Sequence, residues 1–208
     1  MPKALEIKVQ TARKKLSRTA YQALARIEQY DWILFTSKNA VTFFVREMRK
    51  KRIKFPQTPR IAAVGPETAG ALRILGFPVH VVPKRFTADS MIRSIGKVRG
   101  AHILFPRSAI AAPAAVRALR ARGARVRVLS LYTTTAIKLP RTTKRALLAG
   151  TYAWLIFKSP SGVQGLIRQF SEKEKHIVQN IPAECIGPTT ARAAKSAGFK
   201  KISDTSVL

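Results

Sequence analysis

The sequence predicts an α/β protein in which one parallel-sheet unit occurs twice. The first observation is an internal repeat: at an offset of 122 positions, YDWILFTSKNAV (30–41) aligns with YAWLIFKSPSGV (152–163). At the same offset and without a gap, AVGPETAGALRILGF (63–77) aligns with CIGPTTARAAKSAGF (185–199). This period is too long for a solenoid and fits two copies of a domain-sized unit. The second observation is that short apolar runs alternate with helical patterns of about ten residues, which is typical of a doubly wound parallel sheet.

The first copy begins with a predicted helix over residues 18–29, where apolar side chains recur at helical spacing. WILF (32–35) is a short apolar run typical of a buried parallel strand. Asn39 is predicted to N-cap the next helix, whose apolar stripe reaches Met48. IAAV (61–64) is the following predicted strand.

The remaining elements follow the same alternation. Pro66 is predicted to open a helix that ends at Gly76, because proline suits a first helical turn and glycine a helix end. Further helices are predicted near 88–97 and 111–122. The other predicted strands are VHVV (79–82), HILF (102–105), VRVLSLY (126–132), WLIF (154–157), AECI (183–186) and KKIS (200–203).

Composition excludes several classes of protein. The 208 residues suit one or two domains, and no apolar run reaches the length of a membrane span. The N-terminus lacks the apolar core of a secretion signal. Cys185 is the single cysteine, so no internal disulfide forms, a reducing cytosol is expected, and the residue is predicted to lie in the core. The three histidines, His80, His102 and His176, lack the spacing of metal ligands, and no metal site is expected.

Charge is the unusual feature of the composition. Thirty-nine Lys and Arg against ten Asp and Glu give a formal net charge of +29. This balance favours a polyanionic partner, whether nucleic acid, a membrane surface or a polycarboxylate substrate, although a solvated basic surface explains it equally well. The densest basic runs, residues 46–54 and 117–127, are not interleaved with aromatic residues as a single-strand binding surface would be.

The duplicated motifs lie where strands are predicted to turn into helices. In a doubly wound sheet, ligands bind at the carboxyl ends of the strands, and the unpaired N–H groups of helix N-termini form anion sites there. The hydroxyl side chains at these turns add donors, although each of them could be an ordinary N-cap. They are Thr36, Ser37, Thr68, Ser159, Ser161, Thr189 and Thr190.

An ordered set of motifs resembles the uroporphyrinogen-III synthase family. The motifs are YDWILFTSKNAV, AVGPETA, FTADS (86–90), LFPRS (104–108), VLSLYTT (128–134), FKSPSGV and CIGPTTARAA. The resemblance implies two flavodoxin-like (Rossmann-like) α/β domains joined by a two-stranded linker, with the active site in the cleft between them and no metal or organic cofactor.

The resemblance also implies domain boundaries. Residues 9–128 would be one complete domain, and the other would combine residues 129–208 with a linker strand within residues 1–8. ALEIK (4–8) and VLSLYTT are the two expected linker strands. Compared with the family pattern, the second domain is expected to be short at both ends.

The chemistry that the resemblance implies is the cyclisation of hydroxymethylbilane in tetrapyrrole (porphyrin and heme) biosynthesis. A carbon–oxygen lyase of this kind removes water and inverts the last pyrrole ring, giving uroporphyrinogen III. Tyr132 matches the linker tyrosine that the family pattern offers as proton donor; packing of its ring with an exposed hydroxyl is the alternative. The implied substrate-binding residues are Thr36, Ser37, Asn39, Gly65, Thr68, Thr87, Arg107, Ser108, Lys158, Ser159, Ser161, Gly187, Thr189 and Thr190.

Some of these assignments have simpler alternatives. Arg107 could be solvated at the end of its strand, and Lys158 could be an ordinary surface lysine. For the whole chain, the alternatives are a truncated, non-catalytic paralogue and a basic nucleic-acid-binding α/β protein, although no RNP, zinc-finger or KH signature is present. The main interpretation implies a cytoplasmic monomer that binds a polycarboxylate tetrapyrrole handed over by hydroxymethylbilane synthase, with no membrane and no specific nucleic acid as partner.

Overall fold

The computed structural model describes residues 3–54 and 58–205. They form a mixed α/β fold with parallel sheets, as predicted. The chain divides into two compact units: the described residues of Met1–Thr11 together with Thr134–Leu208, and Ala12–Thr133. We call these the discontinuous unit and the central unit. Residues 1, 2 and 206–208 of the expected domain boundaries lie outside the described residues.

The central unit holds most of a sheet that has five strands among the described residues, in the order β2-β6-β5-β3-β4. The strands are β2 (Val9–Arg13), β3 (Trp32–Phe35), β4 (Arg60–Ala63), β5 (His102–Ser108) and β6 (Arg125–Ala136). Residues 9–11 of β2 and 134–136 of β6 belong to the discontinuous unit. Strand β3 pairs in parallel with both β4 and β5, so that Ile33 lies opposite Ile61 and Leu104. All four residues of β3 are buried, as expected for a central strand with both faces covered.

Helices cover both faces of this sheet. They are α1 (Arg18–Ala25), α2 (Lys38–Lys50), α3 (Pro66–Ile74), α4 (Ala88–Ser94) and α5 (Ala114–Ala121), with a 3₁₀ turn at Ile27–Gln29. The predicted helix over 18–29 therefore ends earlier than expected. One core layer includes Phe35 and Phe44, whose rings meet edge to face at 5.3 Å between centroids. The other layer packs Met91 and Leu119 against Phe105.

The discontinuous unit has a parallel sheet with the order β1-β7-β8-β9 among the described residues. Its strands are β1 (Lys3–Glu6), β7 (Tyr152–Phe157), β8 (Ala183–Cys185) and β9 (Ile202–Asp204), and its helices are α6 (Arg141–Leu148), α7 (Pro160–Ile167), α8 (Glu172–Asn180) and α9 (Pro188–Ser196). Phe157 and Phe199 pack edge to face at 5.3 Å in its core. Cys185 is fully buried there, which confirms its predicted core position.

The two copies of the repeat bury their tryptophans differently. Trp32 is 5% exposed, whereas Trp154, its counterpart at the 122-residue offset, is 40% exposed. Trp32 belongs to the core layer that contains residues of α4 and α5. The two copies of the repeat therefore differ on the sheet face that carries the tryptophan: helices cover it in the first copy, and it is partly exposed in the second.

The predicted strand at VHVV (79–82) is wrong. The segment forms an isolated bridge, Val81 with Ala62, and the N–H of His80 donates to the carbonyl of Ile61 at 2.9 Å, but no continuous strand forms. The ring Nδ1 of His80 accepts the N–H of Ile61 at 3.0 Å and so takes a donor that a longer ladder would use. Pro78 and Pro83 flank the segment, and a proline has no N–H to extend a ladder.

The expected linker strand at residues 4–8 also needs correction. Lys3–Glu6 pairs in parallel with β7 inside the sheet of the discontinuous unit. The strand that lies next to β6 is instead β2, Val9–Arg13. Burial explains the difference, because Leu5 packs against the core of the discontinuous unit and Ile7 is only 3% exposed within it. Within the described residues, no helix is long and apolar enough to cross a membrane.

Candidate functional site

Ser37 begins the helix that follows β3. Its backbone is extended (φ −165°, ψ 153°), and its hydroxyl accepts the N–H of Ala40 at 3.1 Å, which is the usual N-cap interaction. The prediction that Asn39 caps this helix is therefore wrong. Asn39 is the second residue of α2 and is exposed, because the serine two positions earlier reaches the free N–H groups first.

Tyr132 lies on β6 with its hydroxyl oxygen 2.8 Å from that of Ser37. Its side chain is 5% exposed, and the ring of Phe43 stacks on it at 5.1 Å between centroids with the planes 14° apart. The alternative of an exposed hydroxyl is thus wrong. Burial raises the pKa of Tyr132 above its ordinary value, and the Ser37 hydrogen bond and the charge of Arg107 offset part of that rise. The phenol is therefore protonated at neutral pH.

Arg107 is buried at the end of β5, with 6% of its surface exposed. Its Nη2 donates to the carbonyl of Ala112 at 2.6 Å, and its guanidinium lies over the Phe105 ring at 5.2 Å. Burial lowers the pKa of Arg107, although the group stays charged at any physiological pH. A solvated arginine, the simpler alternative, is excluded. The guanidinium instead supplies a fixed positive charge near Tyr132.

Ser108 follows Arg107 and lies opposite Tyr132 in the β5–β6 pairing. The register shifts between Arg107 and Ser108, so the strand pairing is irregular there. Such irregularities re-aim side chains at the ends of strands. The hydroxyl of Ser108 accepts the N–H of Ile110 at 3.4 Å, a contact within its own loop.

The next helix N-terminus of the central unit is built around Gly65. Its backbone is extended, and a Cβ at this position would come within 3.3 Å of Phe86. Thr68, in the first turn of α3, is 4% exposed. Thr87 N-caps α4 by accepting the N–H of Ser90 at 3.1 Å. Thr36, which ends the approach to α2, is partly buried.

An ion pair connects the N-termini of α2 and α3. The Nζ of Lys38 lies 3.0 Å from a carboxylate oxygen of Glu67. Both side chains are mostly exposed, so the pair adds little stability. The contact shows that the N-termini of α2 and α3 lie side by side at the carboxyl edge of the sheet.

The discontinuous unit repeats the serine cap with matching geometry. Ser159 has φ −161° and ψ 154°, and its hydroxyl accepts the N–H of Gly162 at 3.3 Å. Its hydroxyl also lies 3.0 Å from that of Ser161. Lys158 forms an ion pair with Glu6 at 3.1 Å, and both side chains remain largely exposed.

The second Gly-Pro turn differs from the first in backbone geometry. Gly187 has φ +90° and ψ 153°, a region that is essentially restricted to glycine, whereas Gly65 is extended at φ −168°. Thr190 is 3% exposed, close to the value for its counterpart Thr68. Thr189 accepts a long contact of 3.5 Å from Arg192.

The structure thus places the candidate residues in two groups, one in each unit. The central unit holds Thr36, Ser37, Asn39, Gly65, Thr68, Thr87, Arg107, Ser108 and Tyr132; the discontinuous unit holds Lys158, Ser159, Ser161, Gly187, Thr189 and Thr190. Within the described residues, no group of three His, Cys, Asp or Glu side chains is close enough to hold a metal ion.

Two aromatic residues of the central site were not predicted. Phe43 stacks on Tyr132, and Phe86 lies against Gly65 while remaining 62% exposed. Phe43 lies next to the predicted apolar stripe of α2. Its position at the edge of that stripe was the one signal in the sequence that could have indicated its role. Phe86 opens FTADS, but nothing in its spacing pointed to Gly65.

Comparison with known families decides the classification. The family model for uroporphyrinogen-III synthase HemD matches residues 4–206. The chain belongs to the uroporphyrinogen-III synthase family. The resemblance drawn from the motifs is therefore confirmed.

Individual uroporphyrinogen-III synthase relatives are distant. The porphyrin biosynthesis protein HemD of Ruminiclostridium josui is 28% identical over 88% of this chain, and the chain spans only 36% of its length. A putative uroporphyrinogen-III synthase of Methanothermobacter thermautotrophicus is 27% identical over 85% of this chain and 73% of its own length. A crystal structure of a mutant uroporphyrinogen-III synthase from the extremely thermophilic bacterium Thermus thermophilus matches with a TM-score of 0.70 at 24% identity, covering 94% of this chain and 81% of that one. This last similarity supports the α/β fold.

Proposed function

We propose that this chain converts hydroxymethylbilane into uroporphyrinogen III, acting as a carbon–oxygen lyase. The observation that supports this most directly is the hydrogen bond between Tyr132 and Ser37 in a member of this family. It holds a protonated phenol at the carboxyl edge of the sheet, where α/β proteins bind ligands. The substrate is a linear tetrapyrrole with an acetate and a propionate on each ring, so it needs both an acid and anion-binding groups.

In the proposed reaction, Tyr132 donates its proton to the hydroxyl of the hydroxymethyl group. The carbon–oxygen bond breaks, water leaves, and the nitrogen lone pair of the pyrrole supplies the electrons, giving a cationic azafulvene. The buried charge of Arg107 stabilises the phenolate that forms at Tyr132. Ring closure with inversion of the last pyrrole then releases a proton from a pyrrole carbon. That proton restores the phenol, so the net change is the loss of one water.

Substrate binding is assigned to the helix N-termini. Unpaired N–H groups at the starts of α2 and α3 in the central unit, and of α7 and α9 in the discontinuous unit, suit carboxylates. The residues proposed for this role at the N-terminal turns are Thr36, Ser37, Asn39, Gly65, Thr68, Lys158, Ser159, Ser161, Gly187, Thr189 and Thr190, with Thr87, Arg107 and Ser108 beside them. The net charge of +29 would speed capture of a polyanion, most strongly at low salt.

The finer architecture and setting are part of the same proposal. We infer two flavodoxin-like domains joined by a two-stranded linker, with residues 9–128 as the complete domain and 1–8 plus 129–208 as the other. The enzyme would act in the cytoplasm as a monomer, without an organic cofactor or a metal, on substrate handed over by hydroxymethylbilane synthase. The sheet orders support a duplicated fold, because β3-β4 with the Val81 bridge parallels β7-β8-β9.

The direct test is to supply the purified chain with hydroxymethylbilane and separate the products. Spontaneous closure gives the uninverted isomer, so a product enriched in the type III isomer is expected only with active protein. A heat-denatured sample provides the baseline. Type I isomer alone, at the rate of the denatured sample, would overturn the proposal and leave a non-catalytic family member. A parallel titration with duplex DNA tests the other alternative: tight, salt-dependent DNA binding together with no affinity for tetrapyrrole would favour it.

A further inference from the structure

Two basic segments of the central unit come together at the C-terminal end of α2. ARKKLSRTAY (12–21) contains four basic residues and REMRKKRIK (46–54) contains six, and Glu47 is the one acidic residue in either segment. Contacts across the segments join them: the hydroxyl of Tyr21 donates to Glu47 at 2.8 Å, and Lys51 lies over the Tyr21 ring at 4.6 Å. The fold therefore joins two segments that together carry ten basic residues and a single carboxylate.

That carboxylate is already fully engaged. Glu47 is completely buried and accepts hydrogen bonds from the Nε and the Nη2 of Arg13, the latter at 3.2 Å, as well as from Tyr21. Glu47 therefore neutralises the charge of Arg13 but not the charges of Lys15 and Lys50. Within the described residues, neither Lys15 nor Lys50 has an ion-pair partner.

The lysines and Arg13 surround a concave space. A pocket of about 420 Å³ is lined by Arg13, Lys15, Tyr21 and Lys50, and we refer to it as the Arg13 pocket. It lies at the C-terminal end of α2, whereas Ser37 caps the N-terminal end. Thirteen residues of helix at about 1.5 Å each put roughly 20 Å between Ser37 and Lys50. The Lys50 side of the Arg13 pocket is therefore distant from Ser37, whereas Arg13 itself lies on the strand beside Tyr132, since the next residue, Lys14, donates its N–H to the carbonyl of Leu131 at 2.9 Å.

We propose that the Arg13 pocket binds a short polyphosphate, such as a triphosphate anion. Ammonium groups on more than one side of a cavity act as point charges and suit the tetrahedral, multiply charged oxygens of phosphoryl groups. A planar carboxylate is best held by an arginine fork, and the fork of Arg13 already holds Glu47. Single-stranded nucleic acid needs aromatic faces on which bases stack, and Lys51 covers the Tyr21 ring.

Binding should also stabilise the fold. Clustered cations repel one another, and a multivalent anion in the Arg13 pocket would relieve this repulsion while binding the folded state more tightly than the unfolded chain, in which these cations are dispersed. Inorganic triphosphate should raise the melting temperature more than sodium chloride or citrate at equal ionic strength. Triphosphate is the probe. Citrate is the control, because it also carries several negative charges but presents carboxylates instead of phosphoryl groups.

The test compares two double variants that remove the same charge. Lys15→Gln with Lys50→Gln should weaken triphosphate binding at least about tenfold, because charged hydrogen bonds are lost. Lys195→Gln with Lys200→Gln, two exposed lysines of the discontinuous unit, should change it less than about twofold. Circular dichroism establishes that both variants are folded, and calorimetric titration supplies the dissociation constants.

Three outcomes would overturn the assignment. Equal losses in the two double variants would mean non-specific attraction by the net charge. Citrate binding as tight as that of triphosphate, and equally sensitive to Lys15 and Lys50, would mean a polycarboxylate site. A single-stranded RNA oligonucleotide that binds through the same lysines more tightly than triphosphate would mean a nucleic-acid surface. The assay uses no tetrapyrrole, so its result is independent of the proposed cyclisation.

Discussion

The hydroxyl groups of Tyr132 and Ser37 lie 2.8 Å apart, although 95 residues separate them in the chain. Ser37 uses one lone pair to accept the Ala40 N–H, so its oxygen is held in place by the helix that it caps. Tyr132 is held from the other side by the stacked ring of Phe43, which also belongs to α2. One helix therefore positions the phenol through both its hydroxyl and its ring.

Replacing Tyr132 by Phe is expected to lower kcat more than it weakens substrate binding. The ring and its stacking on Phe43 remain, and only the proton and the hydrogen bond are lost. General-acid groups contribute about 10²- to 10⁴-fold to rate, and the effect here should lie toward the low end because the pyrrole assists departure of the hydroxyl. The measurement is the rate of type III isomer formation after subtraction of spontaneous closure. An unchanged rate would remove Tyr132 from the acid role and direct attention to Thr68 or Thr190.

Replacing Ser37 by Ala tests the positioning of Tyr132. The change removes an N-cap and should cost about 1 kcal/mol of stability. Ser17→Ala in α1 is the matched control, because Ser17 caps its helix by accepting the N–H of Ala20 at 3.2 Å and its other side-chain hydrogen bond is to Thr19. Both variants should lose similar stability in denaturant titrations, but only Ser37→Ala should also lower kcat. Ser37→Thr retains a hydroxyl and should restore part of the rate; equal activity in the two alanine variants would contradict the positioning role.

The raised pKa of Tyr132 predicts how stability depends on pH. The folded state favours the protonated phenol, so this contribution is complete below the unfolded pKa of about 10 and is lost as the pH rises through the higher folded pKa. The pKa values of Tyr21 and Tyr30 are also raised and add losses of the same sign. Comparing Tyr132→Phe with the parent protein isolates the Tyr132 part. Above pH 10 or so, the free energy of unfolding should fall less steeply in the variant; identical slopes would count against burial of the phenol.

The two Gly-Pro turns should respond differently to alanine. The backbone of Gly187 has φ +90°, and an alanine held in this conformation costs about 1–3 kcal/mol of stability. At Gly65 the backbone is extended, and the added methyl group meets only Phe86, which is exposed and can move. The expected loss there is below about 1 kcal/mol. Thermal unfolding of the two single variants, at fixed salt, gives the comparison; a larger loss at Gly65 would show that the strain argument fails.

Glu47→Gln should destabilise the central unit by about 1–3 kcal/mol, because a buried acceptor of charged and neutral hydrogen bonds is altered. Glu172→Gln is the control. Glu172 is 88% exposed and pairs only with Lys175 on its own helix, so its loss should have a minor effect. Chemical denaturation reports both changes. Equal midpoints for the two variants would mean that the Arg13–Glu47 pair contributes no more than a surface ion pair.

Local pattern was enough to locate most of the regular structure. WILF is strand β3 at the predicted residues, and Pro66 begins α3 as predicted, because a fully apolar run and a helix-opening proline constrain the backbone by themselves. VHVV failed because a strand also needs partners, and the His80 ring occupies the donor of Ile61. The exposed Asn39 failed as a cap because Ser37 was the nearer competitor for the same N–H groups.

The sequence by itself predicted that one α/β unit occurs twice and that its hydroxyl-rich turns follow strands, and its ordered motifs resembled the uroporphyrinogen-III synthases, a family that the family model then confirmed. Those properties depend on residue order and periodicity, which are visible in one dimension. Only the tertiary structure decided that Tyr132 contacts Ser37, that Gly187 and not Gly65 needs a positive φ, and that residues 12–21 join residues 46–54 around Glu47. Each of these depends on a distance or a dihedral angle set by packing between distant segments, and identical letters in two copies of a repeat do not specify it.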